Sequence, residues 1–240
     1  MTFPTALAAA LDEAYAAFAD APPPRKLEAS PLRDAKAIHQ TLTHRPLRDL
    51  ADADIGPYSG WAITTVGTTR DYQHFLPRIL ELAVRDPSWV GAEPAIIAEK
   101  LRQADWRTWP PTQQASVEAV FQAAFSSSLA TRELGLEAED WLAGLAILLG
   151  ETRAHREAWR SATSLAAAHG LASFVLSWLA AEEDGRPAPP FWDNVSTIER
   201  SLTRTWLISD ETQAQLARAD AALDADECWM VQKALEALLV

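Results

Sequence analysis

Apolar residues recur along most of this chain at intervals of three and four positions, which is the period of an α-helix. The first such segment carries its apolar stripe at Phe3, Leu7, Leu11, Ala14 and Phe18. No stretch alternates convincingly at a period of two, so the sequence predicts no sheet. About a dozen helical segments are joined by short turns that contain proline or glycine, which favours antiparallel helical hairpins. We predict an all-α fold, arranged as an irregular bundle or a degenerate α-solenoid, because no strict repeat is present.

The length of the chain, 240 residues, allows one large core,. We therefore expect a single all-helical domain over residues 1–240, with sub-halves 1–110 and 111–240 as the alternative. The alternative boundary lies where Trp106 and Trp109 stand shortly before two prolines. Large rings beside residues with fixed backbone angles predict a rigid corner that is pinned onto the core.

Several helix ends are predicted from residues with strong positional preferences. The Ser-Pro pair at 30–31 predicts a helix start, because serine accepts hydrogen bonds at the N-cap and proline is tolerated in the first turn. Gly150 and Gly170 are predicted to bound one helix. Asp224, with Glu227 three positions later, has the pattern of a capping box for the last helix.

Residues 71–82 carry the most informative pattern in the chain. As a helix they place one apolar face at Tyr72, Phe75, Leu76, Ile79, Leu80 and, just beyond, Ala83. Pro77 lies inside this segment and predicts either a kink or a short turn that feeds a new helix. A second face carries the titratable residues that we call the 71–81 stripe: Asp71, His74, Arg78 and Glu81.

The 71–81 stripe is the best candidate for a functional site. A histidine near carboxylates can be tuned as a general base, which makes His74, Asp71 and Glu81 the catalytic candidates. Arg78 is a ligand-binding candidate, because a guanidinium binds an anion through two parallel hydrogen bonds. The remaining ligand-binding candidates, which would wall such a pocket, are Tyr72, Trp106 and Trp109.

The alternative interpretation of the same stripe is structural. Charged residues at these spacings form ion pairs along a helix face, each worth about 0.2–0.5 kcal/mol. The two interpretations differ in burial, because a binding site needs His74 and Arg78 to face a concave, partly enclosed space. A structural brace instead requires Arg78 to form an ion pair with a carboxylate of the protein itself.

Other titratable residues suggest no metal site and no cofactor. His155 and His169 lie on one predicted apolar stripe, but the intervening helix would place them roughly 21 Å apart, so they cannot bind one ion. Arg153, Arg156 and Arg160 form a short basic ridge, interpreted as a charged outer face with an acidic or phosphate partner as the alternative. The sequence has no glycine-flanked serine elbow and no glycine-rich phosphate loop. We therefore expect neither metal nor cofactor.

Charge and composition restrict the partners and the compartment. The formal net charge is −12, from 33 acidic and 21 basic residues, so the mean field repels nucleic acid,. A single cysteine, Cys228, excludes an intramolecular disulfide and a thiolate zinc cage,. The longest strongly apolar run, residues 141–149, is shorter than the roughly 20 residues that cross a bilayer. Because the start of the chain has no signal-peptide pattern, we expect a cytoplasmic protein that does not enter a membrane.

The segment from Asp71 to Glu81 also carries a family resemblance. With Gly67 before it, and Asp105-Trp106 and Trp109-Pro110 after it, this segment resembles an uncharacterised bacterial protein family along most of the chain. The family pattern is a proline-rich connector, a small-residue helix, an Asp-aromatic-x-His-Phe-Leu-Pro-Arg core and a Trp-Pro corner. Many relatives carry closely spaced cysteines where this chain has residues 28–31, so the resemblance implies that any metal or redox role of those cysteines is absent here. It implies no activity.

Together these observations predict a non-catalytic cytoplasmic protein that binds another macromolecule, with a protein as the expected partner. Ten tryptophans, an acidic surface and the lack of an assembled catalytic set favour such an interaction or scaffold module,. The alternative is a small-ligand-binding protein or a hydrolase-like enzyme that uses the 71–81 stripe. The sequence predicts no oligomeric state.

Overall fold

A computed structural model describes residues 3–85, 91, 93–224 and 228–239 of the chain, and this part is all-helical. Single 3-10 turns lie at Leu47–Asp49 and Trp106–Thr108. The described part contains no β-strand and has only two isolated bridge pairs. The predicted all-α fold of about a dozen helices is therefore confirmed. The α-helices are α1 Thr5–Ala17, α2 Ala35–Thr43, α3 Asp52–Trp61, α4 Thr69–Arg85, α5 Pro94–Gln103, α6 Pro111–Ala130, α7 Ala138–Leu149, α8 Arg153–Ser161, α9 Leu165–Glu183, α10 Thr197–Leu207, α11 Asp210–Ala222 and α12 Trp229–Ala237.

The contacts within the chain define two compact units, Met1–Ala124 and Phe125–Val240. The point of division lies inside α6, and the proline corner after Trp109 belongs to the first unit. The corner is held by its two large rings. Trp106 and Trp109 are both buried, and the indole Nε1–H of Trp109 donates to the carbonyl oxygen of Ala104 at 3.2 Å. The rings of Phe18 and Trp109 pack edge-on, with their centroids 5.7 Å apart. The corner is therefore fixed to the core, as the sequence predicts.

Helix α4 is the central element of the first unit. All six residues of its predicted apolar face are fully buried, and α1 and α3 pack against this helix. Leu82 and Val84 are buried as well, so apolar packing surrounds the second half of the helix on more than the predicted face. The helix continues through Pro77 without a break, which excludes the predicted alternative of a short turn between two helices.

The second unit is built around closely packed aromatic rings on α8, α9, α10 and the segment between α9 and α10. Trp159 stacks on Phe174 at 6.0 Å and lies 5.6 Å from Trp206. Trp178 and Trp192 meet edge-on at 5.4 Å beside the same phenylalanine. Rings at these distances and angles gain more than area burial alone, so this cluster positions the surrounding helices. Helices α7, α11 and α12 pack against α9.

The prediction of one helix between Gly150 and Gly170 is wrong at the C-terminal end of that helix. The structure has two helices there, because α8 ends at Ser161 and α9 begins at Leu165 and runs through Gly170. The hydroxyl of Ser164 caps α9 by accepting a hydrogen bond from the Ala167 amide at 3.0 Å,. Gly170 instead allows the Trp159 indole to lie close to α9, because a Cβ atom at this position would be 3.3 Å from the ring.

Two other predicted helix starts differ from the structure. The second helix begins at Ala35, not at the Ser-Pro pair, and Asp34 caps it by accepting a hydrogen bond from the Ala37 amide at 2.9 Å. The Ser30 amide instead donates to the Thr65 carbonyl oxygen at 2.9 Å. The capping box at Asp224 and Glu227 lies partly outside the described residues, and α12 begins at Trp229.

Helix α9 is the one helix of the described part that is long and apolar enough to count as a candidate membrane span. Its most apolar window has a mean hydropathy of 1.3, and 56% of that window is buried. The sequence points to the shorter run at 141–149 because α9 includes serine and histidine among its apolar residues. A core helix meets the same length and hydropathy criteria, and the aromatic packing around Phe174 favours that role for α9,.

Candidate functional site

The stripe residue nearest the start of α4, Asp71, forms the helix cap. Its Oδ2 accepts hydrogen bonds from the amide of Thr68 at 2.7 Å and from the hydroxyl of Thr68 at 2.8 Å. A Thr68 side chain at the N-cap and an Asp71 side chain three positions later together form a capping box. The Asp71 carboxylate is therefore directed at the helix start and not at His74.

His74 is held by the residue directly before the proline-rich connector, which comprises the three prolines at 22–24. Its Nδ1–H donates to the carbonyl oxygen of Ala21 at 2.9 Å, because a carbonyl oxygen can only accept,. The imidazole also meets the ring of Phe75 edge-on at 4.8 Å. No hydrogen bond joins His74 to Asp71 or Glu81 within the described residues, so the predicted base and its carboxylates are not assembled.

Arg78 and Glu81 form an ion pair that is largely enclosed, with side chains 12% and 10% exposed. The Arg78 guanidinium donates to Glu81 Oε2 at 2.6 Å and, through Nε, to the Leu50 carbonyl oxygen at 2.8 Å. The Tyr15 hydroxyl donates to the same Oε2 at 2.6 Å, and Arg85 pairs with Oε1 at 2.9 Å. The Arg78 guanidinium thus has a carboxylate within the protein.

The contacts of Glu81 set its protonation. Burial raises the pKa of Glu81, but hydrogen bonds from Tyr15 and Arg78 and the charges of Arg78 and Arg85 outweigh burial, so the pKa is lowered overall,. A carboxylate with a lowered pKa and three protein donors is a weak general base. In the structure, Glu81 ties α1 to α4 through Tyr15, and its partner Arg78 ties the segment at Leu50 to the same helix.

The three aromatic candidates do not form the walls of an open pocket. Tyr72 is fully buried, its hydroxyl has no hydrogen-bond partner in the described part of the chain, and burial raises the pKa of this hydroxyl,. Trp106 and Trp109 are buried in the proline corner. A surface cavity of about 410 Å³ borders Asp71 and is otherwise lined by the proline-rich connector and by basic residues at 25, 26 and 70. The predicted ligand-binding aromatics do not line it.

A cavity of about 550 Å³ lies in the second unit, where α8 faces α10, and we call it the α8–α10 groove. Its apolar surface comes from Leu202, which is 50% exposed, and from Trp206. Ile198 stands one helical turn before Leu202 on α10 and is 75% exposed. The indole Nε1 of Trp206 is buried beneath this surface and has no hydrogen-bond partner among the described residues. The groove thus carries an exposed apolar side chain above a buried indole, and the sequence analysis did not identify it.

Charged residues of both signs border this groove. Arg153 pairs with Glu157 at 3.0 Å on the solvent side. Arg160, Glu151 and Glu211 form no ion pair with any described residue. The groove therefore presents charges whose partners are not supplied by the described part of the chain.

The middle residue of the predicted basic ridge is not on an outer face. Arg156 is buried and pairs with the buried carboxylate of Glu199, which also accepts from the amide of Thr152 at 2.9 Å. Arg156 donates to the hydroxyls of Thr152 at 2.9 Å and Thr203 at 3.4 Å. This network joins the start of α8 to α10 below the groove. Its residues are far apart in sequence, so the helical period of α8 alone does not reveal the pair.

The two predicted apolar-stripe histidines are held in different surroundings. His155 lies edge-on to Phe125 at 5.4 Å, and burial lowers the pKa of its imidazole,. His169 Nδ1 accepts a hydrogen bond from Arg132 at 2.9 Å. Among the described residues, no three of the His, Cys, Asp and Glu side chains cluster as a metal site would require,.

Glu139, in the first turn of α7, is a titratable residue that the sequence analysis does not single out. Its Oε2 is buried, and no described residue forms a hydrogen bond with it. Burial, together with the charges of Asp140 and Glu137, raises the pKa of Glu139 to about 8,. The folded protein therefore keeps this carboxyl protonated at neutral pH, and no cavity described above is lined by it.

We expect the free energy of unfolding to fall between about pH 4.5 and pH 8 because of Glu139. Its folded-state pKa lies above the unfolded value, so its contribution is complete below the unfolded pKa and is lost as the pH rises through the folded pKa,. Glu139→Gln removes this loss and should raise the free energy of unfolding at pH 8.5 by about 1–3 kcal/mol, a range reduced for the partial exposure of the residue. Urea unfolding across pH 4.5–9 measures the difference. The exposed Glu133→Gln is the control, and parallel pH curves for Glu139→Gln and the wild type would contradict this assignment.

Comparison of the chain with protein-family models, with curated proteins and with solved structures found no match.

Proposed function

We propose that this protein is a non-catalytic, cytoplasmic helical module that binds an amphipathic helix of a partner protein in the α8–α10 groove. The observation that carries the proposal is the apolar surface at this groove. Leu202 and Trp206 line it, and the exposed Ile198 extends the same face of α10 by one turn. Helices that dock in grooves present apolar side chains at the same three- and four-residue spacing.

The chemistry of the groove suits a helix with charged flanks. Exposed apolar side chains are stabilised when a partner covers them, at roughly 25 cal/mol per Å². Arg160 and Glu211 at the rim provide charges of opposite sign that would fix the direction of the bound helix,. The net charge of −12 favours the approach of a basic partner and disfavours nucleic acid,.

The alternative, a ligand-binding protein or hydrolase-like enzyme that uses the 71–81 stripe, has less support. Asp71 caps α4, His74 binds the Ala21 carbonyl oxygen, and Arg78 pairs with Glu81. Each group that the chemistry needs is thus engaged within the protein. A catalytic constellation requires these groups to converge on a reacting atom, and they do not.

The test compares the wild type with Leu202→Asp and Leu32→Asp in capture from the native host, followed by mass spectrometry. Leu32 is 93% exposed in the first unit, so its variant carries the same chemical change on a unit that does not contain the groove. We expect one protein to be recovered reproducibly by the wild type and by Leu32→Asp. For that purified partner, Leu202→Asp should weaken Kd roughly 10- to 100-fold in calorimetry, because a buried leucine contact is lost.

Three outcomes would overturn the proposal. The first is equal affinity of Leu202→Asp and the wild type for every reproducible partner. The second is the absence of such a partner at native abundance. The third is a wild-type dimer that Leu202→Asp converts to a monomer in light scattering, because the occupant would then be a second copy of this chain. Circular dichroism of both variants checks that they remain folded.

A further inference from the structure

A smaller cavity of the second unit, of about 250 Å³, lies where the end of α8 and the start of α9 face α11. We call it the α8–α9–α11 cavity. Four alanines provide its apolar lining, and Arg160, Arg218 and Gln215 are its long polar side chains. Arg160 also borders the α8–α10 groove, whereas Arg218 and Gln215 line only the smaller cavity.

Gln215 is held with its amide in one orientation. The residue is 6% exposed, and its Nε2 donates to the carbonyl oxygens of Trp159 at 2.9 Å and Ala162 at 3.3 Å. Both partners are acceptors, so the NH₂ group must face them and the amide cannot be turned over. The Gln215 Oε1 is left buried with no hydrogen-bond partner among the described residues. The Gln215 amide therefore keeps one acceptor whose hydrogen bond no described residue supplies.

The two arginines at the cavity are free to bind an anion. Neither Arg160 nor Arg218 forms an ion pair with a described residue, although the chain has 33 acidic residues against 21 basic ones. Two guanidinium groups from different helices beside one cavity favour a carboxylate or an oxyanion, because each offers a fork of parallel donors. The Ser164 hydroxyl at the same cavity already donates to the Leu129 carbonyl oxygen and accepts from the Ala167 amide.

We propose that the α8–α9–α11 cavity binds a small carboxylate that carries an N–H group on the α-carbon. The carboxylate lies between Arg160 and Arg218, the N–H donates to Gln215 Oε1, and a small apolar side chain contacts the alanines. A sulfate ion offers no donor and leaves Gln215 Oε1 unpaired. Free amino acids and the C-terminal residue of a peptide both have this chemistry. The proposal does not depend on helix binding in the groove.

The test uses the full chain and titrates it by calorimetry with L-leucine, with N-acetyl-L-leucine and with sulfate. The acetylated compound represents a peptide C-terminus, so its preference over L-leucine, or the reverse, distinguishes the two sources. We expect at least one of the two carboxylates to bind with a Kd of roughly 1 mM or tighter, and sulfate to bind at least tenfold more weakly.

Variants of the two exposed arginines identify the site without disturbing the core. Arg218→Ala and Arg160→Ala should each weaken carboxylate binding at least tenfold, whereas Arg70→Ala, at an exposed arginine of the first unit, should leave it unchanged.

No binding of either carboxylate below about 10 mM would overturn the proposal, as would equal affinity of Arg218→Ala and the wild type. Sulfate binding as tight as carboxylate binding would overturn the role of Gln215. Arg218→Ala should not change capture of a groove partner, so failure here is distinguishable from failure of the proposed function.

Discussion

Replacement of Glu199 by alanine is expected to lower the free energy of unfolding by about 3–5 kcal/mol. Glu199 is 2% exposed and accepts from the Thr152 amide at 2.9 Å, from the Thr152 hydroxyl and from the Arg156 guanidinium. Its removal leaves a buried arginine without a carboxylate and a buried amide without an acceptor. Each such group then bears the cost of burial without compensation.

Chemical unfolding of the wild type and Glu199→Ala at pH 7 measures this change. Glu157→Ala is the matched control, because Glu157 pairs with Arg153 at 3.0 Å on the exposed side of α8, the helix that carries Arg156. That control should cost no more than about 0.5 kcal/mol, as exposed ion pairs do. A double variant, Glu199→Met with Arg156→Leu, should recover much of the loss, because no unpaired charge remains. A Glu199→Ala cost below about 1 kcal/mol would show that the network is not a stabilising brace.

Replacement of Arg78 by alanine is expected to lower the free energy of unfolding by about 2–3 kcal/mol. The change removes a charge-assisted hydrogen bond to Glu81 and the donor to the Leu50 carbonyl oxygen. The cost should be smaller than for Glu199, because Tyr15 and Arg85 still contact the Glu81 carboxylate. Arg78→Lys should recover only part of the loss, since a lysine has no planar fork of donors.

Arg85→Ala is the control for Arg78, because Arg85 pairs with the same carboxylate from a side chain that is 47% exposed. It should cost less than about 1 kcal/mol. The pH dependence provides a second measurement. The pKa of Glu81 is lowered in the folded state, so its contribution is present above the unfolded value, near 4.5, and is lost as the pH falls through the folded value,. Arg78→Ala should make this acid loss smaller. Equal stability of Arg78→Ala and the wild type would instead leave Arg78 available for a ligand.

The fold was largely predictable because local patterns determine it. The apolar face of α4, from Tyr72 to Ala83, follows from a 3.6-residue period, and every residue of that face is buried,. The start of the same helix was predictable too, since Thr68 lies three residues before Asp71 and side chains at that spacing form a capping box,. These features depend on neighbours along the chain.

Helix boundaries were less predictable where tertiary packing overrides residue preference. A glycine such as Gly170 commonly marks a helix end, but here α9 passes through it, and the Trp159 indole lies 3.3 Å from the position that a Cβ atom would take,. The Ser-Pro pair at 30–31 has the composition of a helix start, yet the Ser30 amide binds the distant Thr65 carbonyl oxygen. Neither partner can be read from the local sequence.

The candidate site shows the same division between local and distant information. The residue types and spacing of the 71–81 stripe were readable, but the partners that restrain it were not. His74 binds an oxygen 53 residues earlier, Arg78 one 28 residues earlier, and Glu81 a hydroxyl 66 residues earlier. The α8–α10 groove likewise requires two helices that are separate in sequence. Spacing on one helix predicts which groups share a face, but it does not predict what that face contacts.

The closely packed indoles of the second unit have an optical consequence. Trp159 lies 5.6 Å from Trp206, and Trp178 lies 5.4 Å from Trp192. Transitions of indoles at such distances couple, so the near-ultraviolet circular dichroism of this chain is weighted towards the second unit. The far-ultraviolet signal arises from all the helices. Unfolding curves recorded in the two spectral regions therefore test whether the units Met1–Ala124 and Phe125–Val240 lose structure in one cooperative step,.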